Sequence, residues 1–200
     1  MRFFLGTSAR SLASLCRNGR KMIRYIIRQN WRDHIERRLK DERLNERTVA
    51  DWKKSQYVGL AGELCFGRFL DDNNIDFEYC GDRSFDFDFA CGETFIDVKS
   101  RACNFIPVPY ATDFTITDYL EFQRTDIYVF TAVCEKEIYL LGWEHKDRFW
   151  NHEHAVKWKA GDKRSQSIVK ADCTSLKVCY LAPMESLLTY LSVKDENSPL

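Results

Sequence analysis

The most regular pattern in the chain is an alternation of apolar and polar residues on both sides of a short turn. It runs along residues 85–89 (Phe-Asp-Phe-Asp-Phe), passes Cys91-Gly92, and continues along residues 94–99 (Thr-Phe-Ile-Asp-Val-Lys). A two-residue period is typical of a strand with one buried face. Two such runs around a turn that contains glycine predict a β-hairpin.

A turn of two or four residues centred on Cys91-Gly92 predicts which side chains of this hairpin face each other. It brings Asp86 opposite Asp97 and Phe89 opposite Thr94. The polar face then carries Asp86, Asp88, Asp97 and Lys99, and the face expected in the core carries Phe85, Phe87, Phe89, Ile96 and Val98. Two acids that face each other beside a lysine repel without a cation between them, so the hairpin predicts a cation site.

The remaining pattern predicts helices before the hairpin and alternating strands and helices after it. Trp31, Ile35 and Leu39 lie at helical spacing within residues 22–54, and a second helix, capped by Thr48, is expected over 49–70. Strands are expected at 77–80, 126–133, 137–143, 167–169 and 176–181, loops over 104–114 and within 145–166, and helices over 116–124, at 145 onward and over 184–191. This order predicts an α/β fold in which helices flank a mixed sheet.

The second helix contains three glycines around one acid. Gly59, Gly62 and Gly67 each cost about 1 kcal/mol relative to alanine in a helix interior. Because Gly59 and Gly67 lie four residues before and after Glu63, Glu63 projects from a face without side chains. Such a face permits close approach of a sheet, a metal or a phosphate backbone. Close helix–sheet packing with Glu63 at the edge is the alternative.

The composition is that of a folded protein with unevenly distributed charge. The 200 residues are 44% hydrophobic and 14% aromatic, enough for a sizeable core, and no apolar run approaches the roughly 20 residues that a membrane span needs. The net charge is zero, yet residues 1–62 carry 15 basic and 6 acidic side chains, and residues 63–200 carry 15 and 24. A basic arm suits a polyanion partner and an acidic body suits bound cations, although an arm that docks on its own body explains the charges equally well.

The first 32 residues contain eight Arg or Lys and no acid, and place Leu5, Ala9, Leu12 and Cys16 on one helical stripe. Three interpretations stay open: an organelle transit peptide, a working protein that begins at Met22, and a basic arm that contacts nucleic acid. The eight cysteines include no CxxC pair, so reduced thiols in an intracellular compartment are expected. We expect residues 1–47 to form a basic helical extension and residues 48–200 the main domain.

Glu63, Asp86 and Asp97-Val98-Lys99, in this order, resemble the pattern of the PD-(D/E)xK nuclease superfamily, which has the restriction-endonuclease-like fold. The family pattern is a helix with Glu, a strand with Asp, and a hairpin leading to a strand with Asp/Glu-x-Lys. The resemblance covers about residues 56–143, and Asp86 follows Phe85 where the pattern has proline. Some members carry Gln-x-x-x-Tyr after the core. In this chain Gln123 and Tyr128 are one residue too far apart for that element.

The resemblance implies a Mg²⁺-dependent enzyme, with Mn²⁺ as a substitute ion. The implied roles are metal binding by Asp86, Asp97 and the Val98 carbonyl, orientation or deprotonation of the attacking water by Lys99, and a second metal or a metal-bound water held by Glu63. Asp88, on the same predicted face as Asp86, is the alternative ligand. Mg²⁺ prefers hard oxygen ligands and is typically held by one or two carboxylates plus substrate phosphate.

The expected activity is hydrolysis of DNA phosphodiester bonds, as an endonuclease on double-stranded DNA. A homodimer would let two sites cut two strands. The run from Lys157 to Arg164 mixes basic and aromatic residues, which suits phosphate contacts and base stacking, with an exposed loop as the alternative. Two other functions are open: a nucleic-acid-binding protein that keeps the fold without catalysis, and an assembly protein whose hairpin acids are a solvated face.

Overall fold

The fold is described here from a computed structural model that covers residues 12–15, 21–41, 49–81, 84–164 and 167–196. The helices of this part are α1 (Gln29–Asp41), α2 (Val49–Asp72), α3 (Lys146–Asn151) and α4 (Met184–Glu196). The strands are β1 (Leu12–Leu15), β2 (Lys21–Ile26), β3 (Glu78–Tyr79), β4 (Phe89–Cys91), β5 (Thr94–Ala102), β6 (Asp113–Thr117), β7 (Ile127–Val133), β8 (Glu137–His145), β9 (Val156–Trp158), β10 (Lys163–Arg164), β11 (Ser167–Ile168) and β12 (Cys173–Lys177). Short 3₁₀ helices span Asp118–Phe122 and Val178–Tyr180.

A curled mixed sheet of seven strands forms the centre of the fold, in the order β1-β2-β8-β7-β5-β4-β3. β5 and β7 run parallel, from Ile96 beside Ile127 to Ala102 beside Val133. The other neighbouring pairs are antiparallel. A smaller sheet has the order β6-β12-β9, and β10 pairs with β11. The predicted mixed sheet with flanking helices is confirmed.

The central sheet separates two apolar clusters, because successive side chains of a strand point to opposite faces. On β7, Ile127 and Val129 contact the cluster that α1, α2 and α4 cover. Tyr128 and Phe130 belong to the cluster formed with β6, β12 and α3. β5 follows the same alternation, and its side chains therefore belong to two different environments.

The expectation of a helical N-terminal extension is wrong for two of its segments. Lys21–Ile26 form β2, which pairs with β8 from Ile23 beside Leu140 to Ile26 beside Glu137, and Leu12–Leu15 form β1. Apolar, β-branched and aromatic residues predominate in β2 and fit a half-buried sheet position, and β8 offers an edge to pair with. Such tertiary pairing overrides a helical pattern read from sequence. The expected helix is present at α1, where Trp31 and Ile35 are buried.

Several expectations fall on residues outside the described ranges. They concern Leu5, Ala9 and Cys16 of the transit-like stripe and the proposed helix cap Thr48. None of the helices within the described ranges is long and apolar enough to cross a membrane. The cysteines in those ranges are free thiols.

Downstream of α2, the long elements match the prediction and the short ones differ. α2, β7, β8 and α4 lie where the pattern predicts them. The expected helix over 116–124 is wrong, because Asp113–Thr117 form β6 and only a 3₁₀ helix follows. β6 is held by a five-residue antiparallel ladder to β12, which also begins and ends earlier than the expected strand at 176–181.

Candidate active site

The register of β4 on β5 is shifted by two residues from the expected one. Phe89 pairs with Ile96, and Cys91 pairs with Thr94. The turn is therefore Gly92-Glu93, and Gly92 has a φ of 55°. Glycine adopts this left-handed conformation without the steric cost that other residues incur.

The expectation that Asp86 faces Asp97 is therefore wrong, and Asp88 lies there instead. The ladder ends at Phe89, and one residue earlier the Asp88 amide donates to the Ile96 carbonyl at 2.9 Å. The Oδ2 atom of Asp88 accepts the Val98 amide at 2.7 Å. The Asp88 carboxylate thus replaces a main-chain acceptor directly beside Asp97. Asp86 lies in the preceding loop, where its amide donates to Ser84 Oγ at 3.0 Å.

The apolar face of the hairpin is shorter than the alternation predicts. Phe89, Ile96 and Val98 are buried as expected. Phe85 is 99% exposed, and Phe87 stacks on Phe95 with ring centroids 4.4 Å apart. The reason is that residues before Phe89 are not paired in a strand, so the two-residue alternation does not continue through them.

Asp97 and Lys99 lie on one face of β5 and form an ion pair. Asp97 is only 6% exposed, and within the described residues its Oδ2 atom accepts no hydrogen bond of good geometry. The Lys99 ammonium also lies 5.5 Å from the centroid of the Tyr128 ring. One buried carboxylate oxygen is therefore stabilised by a neighbouring charge alone.

Gln123 connects Lys99 to the loop before β4. Lys99 Nζ donates to Gln123 Oε1 at 3.4 Å, and Gln123 Nε2 donates to the Phe85 carbonyl at 2.6 Å. Lys146 Nζ donates to the Gln123 carbonyl at 2.8 Å, which fixes the glutamine from a third side. This contact was missed from sequence because the Gln123–Tyr128 spacing does not fit the family element. The residues just before β7 lie beside the start of β5, its parallel partner. This position in the sheet is the signal from which Gln123 could be identified as a site residue.

The negative charges of the other acidic groups of the site affect the pKa of Asp88. Burial raises the pKa of Asp88 well above its ordinary value, and the negative charges of Glu63 and Asp97 raise it further. The hydrogen bond from the Val98 amide and the Lys99 charge act in the opposite direction. Carboxylates from α2, the loop before β4, and β5 therefore influence one another at this edge of the sheet.

Glu63 is held by contacts that reach it from β3 and α1. The Tyr79 hydroxyl donates to Glu63 Oε2 at 2.5 Å, and Arg38 Nη1 donates to Tyr79 Oη at 3.0 Å. The Arg38 guanidinium lies 5.1 Å from the Tyr79 ring centroid. Burial and the Glu63 charge raise the pKa of the Tyr79 hydroxyl, so that this group donates as a neutral phenol.

The glycines of α2 serve close packing against the sheet. A Cβ on Gly62 would lie 2.0 Å from Ser100 Oγ and 2.5 Å from Thr131 Oγ1. These two hydroxyls are themselves hydrogen-bonded at 2.8 Å. A Cβ on Gly59 would meet only Glu63 Oε1, at 3.8 Å. The close approach that the glycines predict is therefore an approach of the sheet at Gly62.

A basic cleft of about 650 Å³ opens beside Lys99. β4 pairs with β5 only as far as Ile96, so the following residues of β5 line the cleft on that edge. The lining residues are Val98, Lys99, Ser100, Arg101, Asp113, Phe114, Thr115, Arg164 and Ser167. Arg101 and Arg164 both pair with Asp113, so three cations face one acid. The cleft is therefore electrostatically suited to an anion.

The acidic side chains of the site are the groups that could bind a metal ion. In the described ranges no group of three His, Cys, Asp or Glu side chains is arranged to hold a metal. Two carboxylates do converge, Asp88 and Asp97, with Glu63 acting on Asp88. Mg²⁺ is typically held by one or two carboxylates and keeps several waters. A cation there would relieve the like-charge repulsion that raises the pKa of Asp88, so the residues fit Mg²⁺.

Comparisons with models of protein families, with curated proteins and with solved structures find no match to this chain. Its function is therefore inferred from the side chains of the site.

Proposed function

We propose that the protein is a Mg²⁺-dependent nuclease that hydrolyses DNA phosphodiester bonds, with Mn²⁺ as a substitute ion. The observation that carries this proposal is the convergence of Asp88, Asp97 and Lys99, of which Lys99 also lines a basic cleft. Carboxylates at an edge of the sheet that excludes most water can bind a divalent cation, and a lysine beside them can stabilise an anionic reacting group. The cations of the cleft can then bind the phosphates on either side of the reacting one.

The residues of the chain divide the work of hydrolysis among them. Asp88 and Asp97 would hold the ion, which when bound neutralises charge on the phosphate and makes water a better nucleophile. Lys99 orients the attacking water and stabilises the negative charge that builds up on the phosphate. Gln123 fixes the Lys99 ammonium, and Glu63 adds negative charge on the α2 side of Asp88.

The order of elements also supports a restriction-endonuclease-like fold for this activity. α2 carries Glu63, the β4–β5 hairpin leads to Asp97-Val98-Lys99, and β7 lies parallel to β5 with β8 antiparallel beyond it. The resemblance to the PD-(D/E)xK superfamily implies this order except for a helix before the strand at 126–133, where the chain has β6 and a 3₁₀ helix instead. In this proposal Asp88 replaces Asp86, the ligand expected from the sequence, and the Val98 carbonyl stays a predicted ligand.

The test is incubation of supercoiled and linear plasmid with the purified protein in Mg²⁺ and in EDTA. The wild-type protein should cut in Mg²⁺ only, and Asp97→Asn should not cut. Asp86→Asn, which removes an acid of the loop before β4 outside the proposed ion site, is the matched control and should still cut. Cleavage by Asp97→Asn at the wild-type rate, or in EDTA, contradicts the proposal.

Metal binding can be measured without cleavage. An ion that binds only the folded chain at ten times its dissociation constant stabilises it by about 1.4 kcal/mol, or about 3–6 °C in Tm for this size. We expect Mg²⁺ to raise the Tm of the wild-type protein and to leave that of Asp97→Asn unchanged. Equal shifts in both proteins would mean that the ion binds elsewhere.

The second candidate is a nucleic-acid-binding protein without catalysis. The basic lining of the cleft by Lys99, Arg101 and Arg164 favours it, because these cations need no metal to bind phosphate. It predicts binding that weakens steeply with salt and is unchanged by EDTA. Such binding without any cleavage would decide for this candidate.

A further inference from the structure

Two almost fully exposed phenylalanines flank the residue that contacts Lys99. Phe85 is 99% exposed and Phe122 is 86% exposed. Gln123 directly follows Phe122, and its Nε2 atom donates to the Phe85 carbonyl at 2.6 Å. Its Oε1 atom accepts the Lys99 ammonium at 3.4 Å. One amide side chain therefore ties both phenylalanine positions to the proposed catalytic lysine.

The surroundings of these rings indicate what covers them. Single exposed apolar residues are common on protein surfaces, but Gln123 connects these two to Lys99, which lines a cleft together with Arg101, Arg164 and one acid, Asp113. An apolar protein surface placed over the rings would add no negative charge to this mainly cationic lining. Single-stranded nucleic acid satisfies both features, since phosphates meet the cations and every base offers a flat face for stacking on an aromatic ring.

We propose that Phe85 and Phe122 stack on unpaired bases beside the phosphate held at Lys99, so that the preferred substrate contains a single-stranded segment. In a continuous duplex the bases stack on each other, and their faces are not accessible without unstacking. The expected substrate therefore changes from double-stranded DNA to DNA with unpaired bases, such as flaps, gaps and single strands. Hydrolysis of this DNA rests on the proposed function, whereas the stacking does not.

Binding to fluorescein-labelled oligonucleotides, measured by anisotropy in EDTA, tests the stacking without hydrolysis. A single strand of about 20 nucleotides is compared with the blunt duplex of the same sequence, on wild-type protein, Phe85→Ala, Phe122→Ala and the double variant. The matched control is Phe105→Ala, because Phe105 is 84% exposed but lies past the far end of β5, where its carbonyl accepts the Cys134 thiol at 3.7 Å.

We expect the wild-type protein to bind the single strand at least about 10-fold tighter than the duplex. Each substitution of Phe85 or Phe122 should weaken single-strand binding by about 5- to 150-fold, the loss of one base–aromatic stack. Duplex binding, and every affinity of Phe105→Ala, should stay within about twofold. Equal affinity for both substrates, or an unchanged single-strand affinity in the double variant, overturns the proposal.

Two further arms separate the outcomes. Single-stranded RNA of the same sequence identifies the source of the bases: tighter binding of DNA supports the proposal, and tighter binding of RNA overturns its assignment to DNA. Cleavage in Mg²⁺ is measured on the same oligonucleotides. Phenylalanine-dependent binding without any cleavage upholds the stacking while the nuclease proposal fails. If duplex and single strand are cut at equal rates, and both alanine variants are as active as wild type, the nuclease proposal is upheld and the stacking proposal fails.

Discussion

The Asp88 carboxylate accepts the main-chain amide of Val98 at 2.7 Å, beside the buried carboxylate of Asp97. The contact lies where β4 stops pairing with β5. A side-chain oxygen there accepts the amide that a main-chain carbonyl would accept in a continued strand. An acidic oxygen is thereby fixed on the strand that carries Lys99. Asp88 is positioned by the backbone itself, which makes its place insensitive to the loop around it.

This position predicts that Asp88 is required for cleavage and that Asp86 is not. Asp88→Asn keeps an acceptor for the Val98 amide but removes the negative charge, so kcat should fall by at least about 100-fold. Asp86→Asn, two residues away in the same loop, should stay within about threefold of wild type. Initial rates on plasmid at saturating Mg²⁺ measure both. If Asp86→Asn is the inactive variant, the sequence-based choice of ligand was right.

Asp88 also predicts a pH dependence of stability. Its pKa is raised in the folded protein, whereas an unfolded Asp titrates near about 3.9. Above that pH the folded state binds more protons at this residue than the unfolded state. The contribution of Asp88 to the free energy of unfolding is therefore complete below about pH 3.9, and it is lost as the pH rises through the raised pKa of the folded state.

Asp88→Asn should accordingly be more stable than wild type at pH 7, and the difference should shrink toward pH 4. Urea unfolding of both proteins at several pH values gives this difference directly, and titrating groups that do not interact with Asp88 cancel in it. Asp86→Asn serves as the control. A stability difference that does not change with pH would argue against like-charge repulsion at Asp88.

Gln123 is expected to act as a positioning residue for Lys99. In Gln123→Ala the ammonium loses an acceptor and the Phe85 carbonyl loses a donor, so kcat should fall by about 10- to 100-fold, the range expected for a displaced catalytic group, with KM changed less. Gln123→Glu keeps the acceptor for Lys99 and should retain more activity. Lys99→Ala should abolish cleavage. Glu121→Ala, exposed in the 3₁₀ helix that ends just before Gln123, is the control. A loss of activity there equal to that of Gln123→Ala would mean a general effect on this segment.

The two glycines before Glu63 are expected to respond in opposite directions to alanine. Gly62→Ala forces a methyl group against Ser100 and Thr131 and should lower the free energy of unfolding by about 1–3 kcal/mol. Gly59→Ala meets only an ordinary contact and should raise it by up to about 1 kcal/mol through helix propensity. Chemical unfolding of the two variants beside wild type is the measurement. A loss of stability in Gly59→Ala would show that the Glu63 face is as tightly packed as the Gly62 face.

The sequence predicts long patterned elements better than registers. β7, β8 and α2 carry enough residues for their periodicity to be unambiguous. The hairpin was recognised, but its register was wrong by two residues. A shift of two leaves every side chain on the same face, so the hydrophobic pattern that identifies the strands cannot detect it. Only the turn decides the register, and Gly92 fits either place in a two-residue turn.

Contacts made far along the chain account for the other differences. β2 lies in a segment with helical spacing, and its strand conformation depends on β8, more than 100 residues later. Gln123 does not fit the family element because that element is a linear spacing, whereas the contact of Gln123 with Lys99 is made in space. Asp97 and Lys99, whose common face follows from strand alternation alone, were predicted correctly.

The two sides of the cleft differ in how firmly they are built. β5, with Lys99 and Arg101, is paired with β7 over seven residue pairs, and displacing it would break the centre of the sheet. Arg164 and Ser167 on the opposite side belong to a hairpin whose strands have two residues each. A bulky ligand in the cleft would therefore displace the Arg164 side before the strand that carries Lys99 and Arg101.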